Sequence, residues 1–160
     1  MVAFAAIAGL TMALEVETHH DGALVLDSTN FNELVINKQT RQLIGTKPWF
    51  VKFYAPWCGH CKHLAPVWDQ LYHEHANQLN VAKVDCTAEN SKEICENFEV
   101  RGYPTLLYFP SEEEHSGKYF KYNGMRSKEA LEGFALKGEY KSEYVELDEI
   151  PRHLEGIEYW

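Results

Sequence analysis

What most constrains this chain is the run Trp57-Cys58-Gly59-His60-Cys61, because of what lies on either side of it. Residues 49–54 before it read Trp-Phe-Val-Lys-Phe-Tyr, an apolar and aromatic stretch suited to a buried strand. After it, Leu64, Val67, Trp68, Leu71, Tyr72 and His75 recur at helical spacing. A strand, a turn and a helix start therefore meet at Cys58. Two cysteines separated by two residues close a small disulfide or open to a dithiol. A thiol at a helix N-terminus faces unpaired backbone amides and the positive end of the dipole, and both favour the reactive thiolate.

The remaining elements follow from pattern and punctuation. Residues 23–26 read as an edge strand. Residues 27–30 are rich in helix-capping types and introduce a helix over 31–37. Lys47-Pro48 breaks the chain before the strand at 49–54. A long helix is expected over 59–78, kinked at Pro66. A strand follows at 81–85, a short helix at 89–97, a turn at 101–104, strands at 105–109 and 120–122, and a last helix at 127–137. This order gives a mixed α/β fold with helices on both faces of one sheet. With 160 residues, 45% hydrophobic and 13% aromatic, the chain supports one core and flanking segments. A net charge of −9 argues against a nucleic-acid partner, which calls for a basic face.

The flanks differ in kind. Residues 1–14 are almost wholly apolar or small, which fits the core of a secretory signal peptide cleaved after Ala13. No Lys or Arg stands near Met1, and an N-terminal helix packed on the domain is the alternative. Residues 139–160 carry seven acidic side chains against two basic ones and read as an acidic linker or docked extension. The chain ends Ile157-Glu158-Tyr159-Trp160, without a Lys-Asp-Glu-Leu type retention signal. Any membrane anchor would have to lie beyond Trp160.

The segment Phe53-Tyr54-Ala55-Pro56-Trp57-Cys58-Gly59-His60-Cys61-Lys62, with Leu64-Ala65-Pro66 behind it and Arg101-Gly102-Tyr103-Pro104-Thr105 downstream, closely resembles the catalytic domain of the protein disulfide isomerase family. The resemblance spans about residues 22–138. It implies a thioredoxin fold, a central mixed β-sheet flanked by helices on both faces. It also implies thiol–disulfide exchange on unfolded or misoxidised polypeptides in the endoplasmic reticulum or secretory pathway. Glutathione or an upstream oxidase would serve as electron partner. No metal is expected, and no cofactor beyond the Cys58–Cys61 disulfide itself.

The same resemblance assigns roles. Cys58 would be the solvent-facing nucleophile and Cys61 the resolving thiol one turn further in. His60, as an imidazolium beside Cys58, would stabilise the thiolate, and Gly59-His60 leans toward the oxidising end of the family. Pro104 would be a cis-proline, with the Tyr103 backbone pairing with extended substrate and Trp57 offering a flat apolar surface. Without the resemblance, a trans turn at Pro104, a solvated His60 and a helix-capping Arg126 are the plainer readings. Arg126 would approach Cys61 and lower its pKa. Lys52 departs from the commonest pattern, in which a buried Glu accepts the inner cysteine's proton. Buried, Lys52 would be neutral and accept that proton, or be charged and favour the Cys61 thiolate. The expectation is a stem packed inside with its head snorkelling to solvent, still tuning Cys61. Cys86 and Cys95, with eight residues between them, match a structural disulfide of some members. Two free buried thiols, or a zinc site from all four cysteines, are the alternatives. The leading function is an oxidoreductase and isomerase; the alternative is a redox-linked chaperone or binding module with little turnover.

Overall fold

The central strands are buried on both faces, and the alternation of their side chains between those faces divides the interior into two layers. The structure, a computed structural model, describes residues 22–143 and 147–149. The expected signal segment 1–13 and residues 150–160 of the acidic extension lie outside the described residues. In chain order the elements are β1 (Leu24–Val25), α1 (Phe31–Leu34), β2 (Trp49–Tyr54), α2 (Gly59–His75), β3 (Asn80–Asp85), α3 (Lys92–Asn97), β4 (Thr105–Phe109), β5 (Lys118–Tyr122), α4 (Lys128–Leu136), α5 (Tyr140–Glu143) and β6 (Leu147–Glu149). The strands form one mixed sheet in the order β1-β3-β2-β4-β5-β6. β1, β3 and β2 run parallel, and β4, β5 and β6 continue antiparallel. This is the thioredoxin fold.

Trp49, Val51 and Phe53 of β2 point to one face, where they meet Phe31 of α1 and Ile94 of α3. Phe50 points to the other and meets Leu64, Trp68 and Leu71 of α2 and Phe134 of α4. Side chains two apart on a strand share a face, so one strand serves both layers. Trp68 is fully buried, and its indole Nε1 donates to the Ala82 carbonyl of β3 at 2.9 Å. The Phe50 ring lies 4.8 Å from Trp68 and 5.7 Å from Phe134. Contacts of this kind add about 1 kcal/mol each beyond the area they bury.

Several boundaries differ from those read in the sequence. α1 stops at Leu34 instead of running to residue 37. The Asn37 side chain accepts from the amides of Gln39 and Thr40 at 2.9 Å, a local turn that competes with the helix. α2 stops at His75, where the His75 carbonyl accepts from both Gln78 and Leu79 and closes a turn into β3. Pro66 lies inside that helix without ending it. The short helix expected over 89–97 is split into a 3₁₀ turn, Glu89–Ser91, and α3.

The core also continues past residue 138. Tyr140 is 1% exposed, with its ring 4.9 Å from both Tyr108 and Phe120. Its hydroxyl donates to Glu112 Oε1 at 2.7 Å. β6 then adds an outer strand to β5. The start of the acidic stretch is thus part of the domain, because one aromatic residue in a charged sequence supplies enough apolar area to anchor it.

Two stability measurements check this. Tyr140→Ala should lower the unfolding free energy by about 4 kcal/mol, and Tyr140→Phe, which keeps the ring and loses the hydrogen bond to a carboxylate, by about 1.5 kcal/mol, read as urea midpoints at constant slope. A disulfide joins Cys86 after β3 to Cys95 of α3, and replacing both by Ser should cost about 2–3 kcal/mol, the loop-closure entropy of a short loop.

Candidate active site

The reactive pair sits where β2 hands over to α2. Cys58 has extended backbone (φ −75°, ψ 118°) and is the N-cap of α2, its Sγ accepting from the Cys61 amide at 3.3 Å. A sulfur thus occupies the place where a Ser or Asp oxygen commonly satisfies a free helix amide. The Cys58 amide is tied back to the Ala55 carbonyl at 3.1 Å, so the turn is closed from both sides. Cys58 and Cys61 are both free thiols.

Exposure differs from the expectation for an outer and an inner cysteine. Cys58 is 7% and Cys61 3% exposed. Tyr103 explains this: it packs with Tyr54 against Ala55, Cys58 and Cys61. The Cys58 thiol donates to the Tyr103 carbonyl at 3.5 Å. The Tyr103–Pro104 peptide is cis. The Thr105 hydroxyl closes the same loop onto the Gly102 carbonyl at 2.7 Å. Trp57 is 70% exposed, edge-on to the Tyr103 ring at 5.8 Å. The two rings and the cysteine turn therefore form one surface.

The residues expected to tune the sulfurs divide. His60 is exposed on the first turn of α2. Gly59 has open space around its Cα and no positive φ, so neither crowding nor backbone strain accounts for a glycine there. Arg126 is exposed and lines a cavity of about 300 Å³ beside Tyr103, Pro104 and Lys121, a lining to which neither Cys58 nor Cys61 contributes.

Lys52 lines a cavity together with Cys61. It is 4% exposed, so its head does not snorkel. Its Nζ lies 5.4 Å from the centre of the Tyr54 ring and 5.8 Å from that of Trp68. The period of two explains the inward aim: Lys52 shares the α2 face of β2 with Phe50, beneath the helix. Burial pushes the Cys61 thiol up to about 11, and the hydrogen bond to Cys58 adds to the rise. The Lys52 charge pulls in the opposite direction.

Two further charged residues were not singled out in the sequence. Lys83 and Asp69 line one cavity with Lys52 and Cys61. The signal for Lys83 was present: a lysine within Val81-Ala82-Lys83-Val84 stands in the middle of a buried strand and is 7% exposed. Asp69 had a weaker signal, its place eight residues after Cys61 on the same helical stripe.

The second pair, Cys86 and Cys95, is joined by a disulfide with Cα atoms 5.9 Å apart. It links the end of β3 to α3, and the Cys86 amide donates to the Tyr54 carbonyl at 2.9 Å. A four-cysteine zinc site is therefore not available. Among the described residues Glu74, His75 and Glu132 also cluster, but Lys128 Nζ sits 2.5 Å from Glu74 and 2.9 Å from Glu132 and supplies the positive charge itself.

Two consequences are measurable. Lys52→Met removes the charge that opposes the rise, so the Cys61 pKa should move further up, as read from the pH dependence of Cys61 alkylation. The reduced protein should also lose stability with alkali. The folded thiol titrates near 11 against an ordinary value of 9.0, so protonated Cys61 stabilises the fold below pH 9, and that contribution fades as pH rises toward 11. Denaturant midpoints of the reduced chain across that window check the sign.

Comparison with known proteins agrees with the geometry. The sequence matches the thioredoxin family over residues 22–137. It is 43% identical over 120 residues to a thioredoxin domain-containing protein of Theileria parva, covering 74% of this chain and 50% of that one. It is 44% identical over 109 residues to protein disulfide-isomerase 1 of Caenorhabditis elegans, covering 66% of this chain and 21% of that one. The chain thus spans between a fifth and a half of the length of these relatives. Among solved structures, the first thioredoxin domain of mouse protein disulfide-isomerase A4 superposes with a TM-score of 0.56 at 28% identity, covering 77% of this chain and 78% of that one. The chain belongs to the thioredoxin family, its domain is of the protein disulfide isomerase type, and at the level of that family its chemistry is thiol–disulfide oxidoreduction.

Proposed function

We propose that the protein forms and rearranges disulfides in folding secretory polypeptides through the Cys58–Cys61 pair. The observation that carries this reading is the Cys58 thiol capping α2 while lying 3.5 Å from the Tyr103 carbonyl that precedes cis-Pro104. A substrate sulfur bonded to Cys58 would lie against that loop. Its extended backbone would pair with Tyr103, and its side chains would rest on exposed Trp57.

In the reducing direction the Cys58 thiolate attacks one sulfur of a substrate disulfide. A mixed disulfide forms, and the other substrate sulfur leaves as thiolate. The Cys61 thiolate then attacks Cys58 Sγ and releases the second substrate sulfur, so two electrons pass to the substrate and the Cys58–Cys61 disulfide forms. In the oxidising direction a substrate thiolate attacks that disulfide at Cys58, and glutathione disulfide or an oxidase recharges the pair. Isomerisation needs only the first attack and its reversal at a different substrate cysteine. The secretory pathway, with the endoplasmic reticulum as its folding compartment, is supported by the bonded Cys86 and Cys95, since such disulfides persist in oxidising surroundings.

A second reading is a redox-linked binding module with little turnover. The Cys61 thiol favours it: burial holds it protonated at neutral pH, which leaves little thiolate for the resolving attack. Recovery of a reduced and of a scrambled substrate in glutathione buffer separates the two. Wild type should accelerate both, and Cys58→Ser should abolish both. Cys61→Ser should lose net oxidation while keeping part of the isomerisation. A folded wild type that accelerates neither reaction, yet binds unfolded chains, would establish the binding module.

A further inference from the structure

Two lysines lie side by side beneath the helix that carries the cysteines. Lys52 and Lys83 are register partners on neighbouring parallel strands and are 4% and 7% exposed. With Cys61, Ala65 and Asp69 of α2 they line a cavity of about 280 Å³, roomy enough for several waters. Cys61, Ala65 and Asp69 stand four residues apart, so one stripe of α2 faces the cavity. Helical side chains lean toward the N-terminus, which carries the Asp69 carboxylate back over the small Ala65 toward Cys61.

The charges on this cavity are unequal. Lys52 and Tyr54 face it from β2, Lys83 from β3, and Lys62, Cys61 and Asp69 from α2, with Cys58 beside Cys61. Among the described residues lining it, Asp69 is the one acid. Two ammonium groups in a poorly solvated layer call for an anion nearby. Those same cations keep a carboxylate ionised and able to take a proton. The resolving step has a proton to lose, because burial holds Cys61 protonated at neutral pH.

We propose that Asp69 is the positioning residue that receives the Cys61 proton, through cavity solvent, while Lys52 and Lys83 hold its carboxylate ionised between turnovers. The inference rests on the oxidoreductase reading. The Cys61 S–H proton passes to Asp69, and the thiolate attacks Cys58 Sγ. The Cys58–Cys61 bond forms as the Cys58–substrate bond breaks. The substrate sulfur leaves with the electron pair and takes up a proton from Asp69 or bulk water.

The test uses the full chain with 5,5′-dithiobis(2-nitrobenzoate) between pH 5 and 9. The first thionitrobenzoate released reports attack by Cys58, the second attack by Cys61. Asp69→Asn should slow the second phase relative to the first about tenfold near pH 7, and Asp69→Glu should restore it. Removing a negative charge near a thiol favours its thiolate. In a Cys58→Ser background, Asp69→Asn should therefore lower the pH midpoint of Cys61 alkylation while the second phase slows. That opposition of signs would not arise if Asp69 only held the lysines in place, because displaced lysines would raise the midpoint. An unchanged second phase, or a raised midpoint, overturns the proposal. Failure of the oxidoreductase reading shows separately, as a wild type that does not catalyse refolding although both release phases are observed.

Discussion

The docking of α2 on the sheet through Trp68 is the contact on which the site depends. The indole fills the layer between helix and strands, lies tilted against Phe50, and donates to the Ala82 carbonyl at 2.9 Å. A hydrogen bond from a fully buried ring to a strand backbone fixes how far the helix is rotated and where it lies along its axis. Rotation decides that Cys61, Ala65 and Asp69 face the strands while His60 and His63 face solvent. Axial position decides that the first turn ends against the cis-Pro104 loop. A core interaction more than two turns away thus sets the geometry at the sulfurs.

The chemistry is a balance of burial against charge. Burying Cys61 makes it a reluctant thiolate, and the Lys52 cation opposes that reluctance. A second buried cation, Lys83, shares the cavity, so the environment beneath the inner sulfur is polar within an apolar layer. Charged groups this deep are costly unless partnered, and their presence beside the reacting pair is the kind of departure from core packing that functional sites show. Cys58 faces a different environment, a helix terminus on one side and a backbone carbonyl on the other. Two chemically identical side chains three residues apart are thereby set up for unequal work.

The periphery serves this centre. The Cys86–Cys95 bond ties α3 to the end of β3, and the Cys86 amide ties that end to the last residue of β2. Tyr140 closes the opposite layer and draws the beginning of the acidic stretch into the domain. Both act on stability, with no contact to the sulfurs.

The sequence by itself determined the two layers and the reactive turn. The apolar and aromatic run at 49–54, helical spacing after Cys61 and the punctuation at Lys47-Pro48 are local signals, and local signals suffice for elements of that length. Helix ends were less legible, because at Asn37 and His75 one side chain or one carbonyl outcompeted the periodic pattern. The tertiary structure alone decided which charges meet Cys61. Lys83 and Asp69 arrive from β3 and from two turns along α2 to line one cavity with Cys61, while Arg126 lines another with Tyr103 and Pro104. Strand register and helix rotation set those meetings, and both are properties of packing between segments that no single stretch of sequence contains.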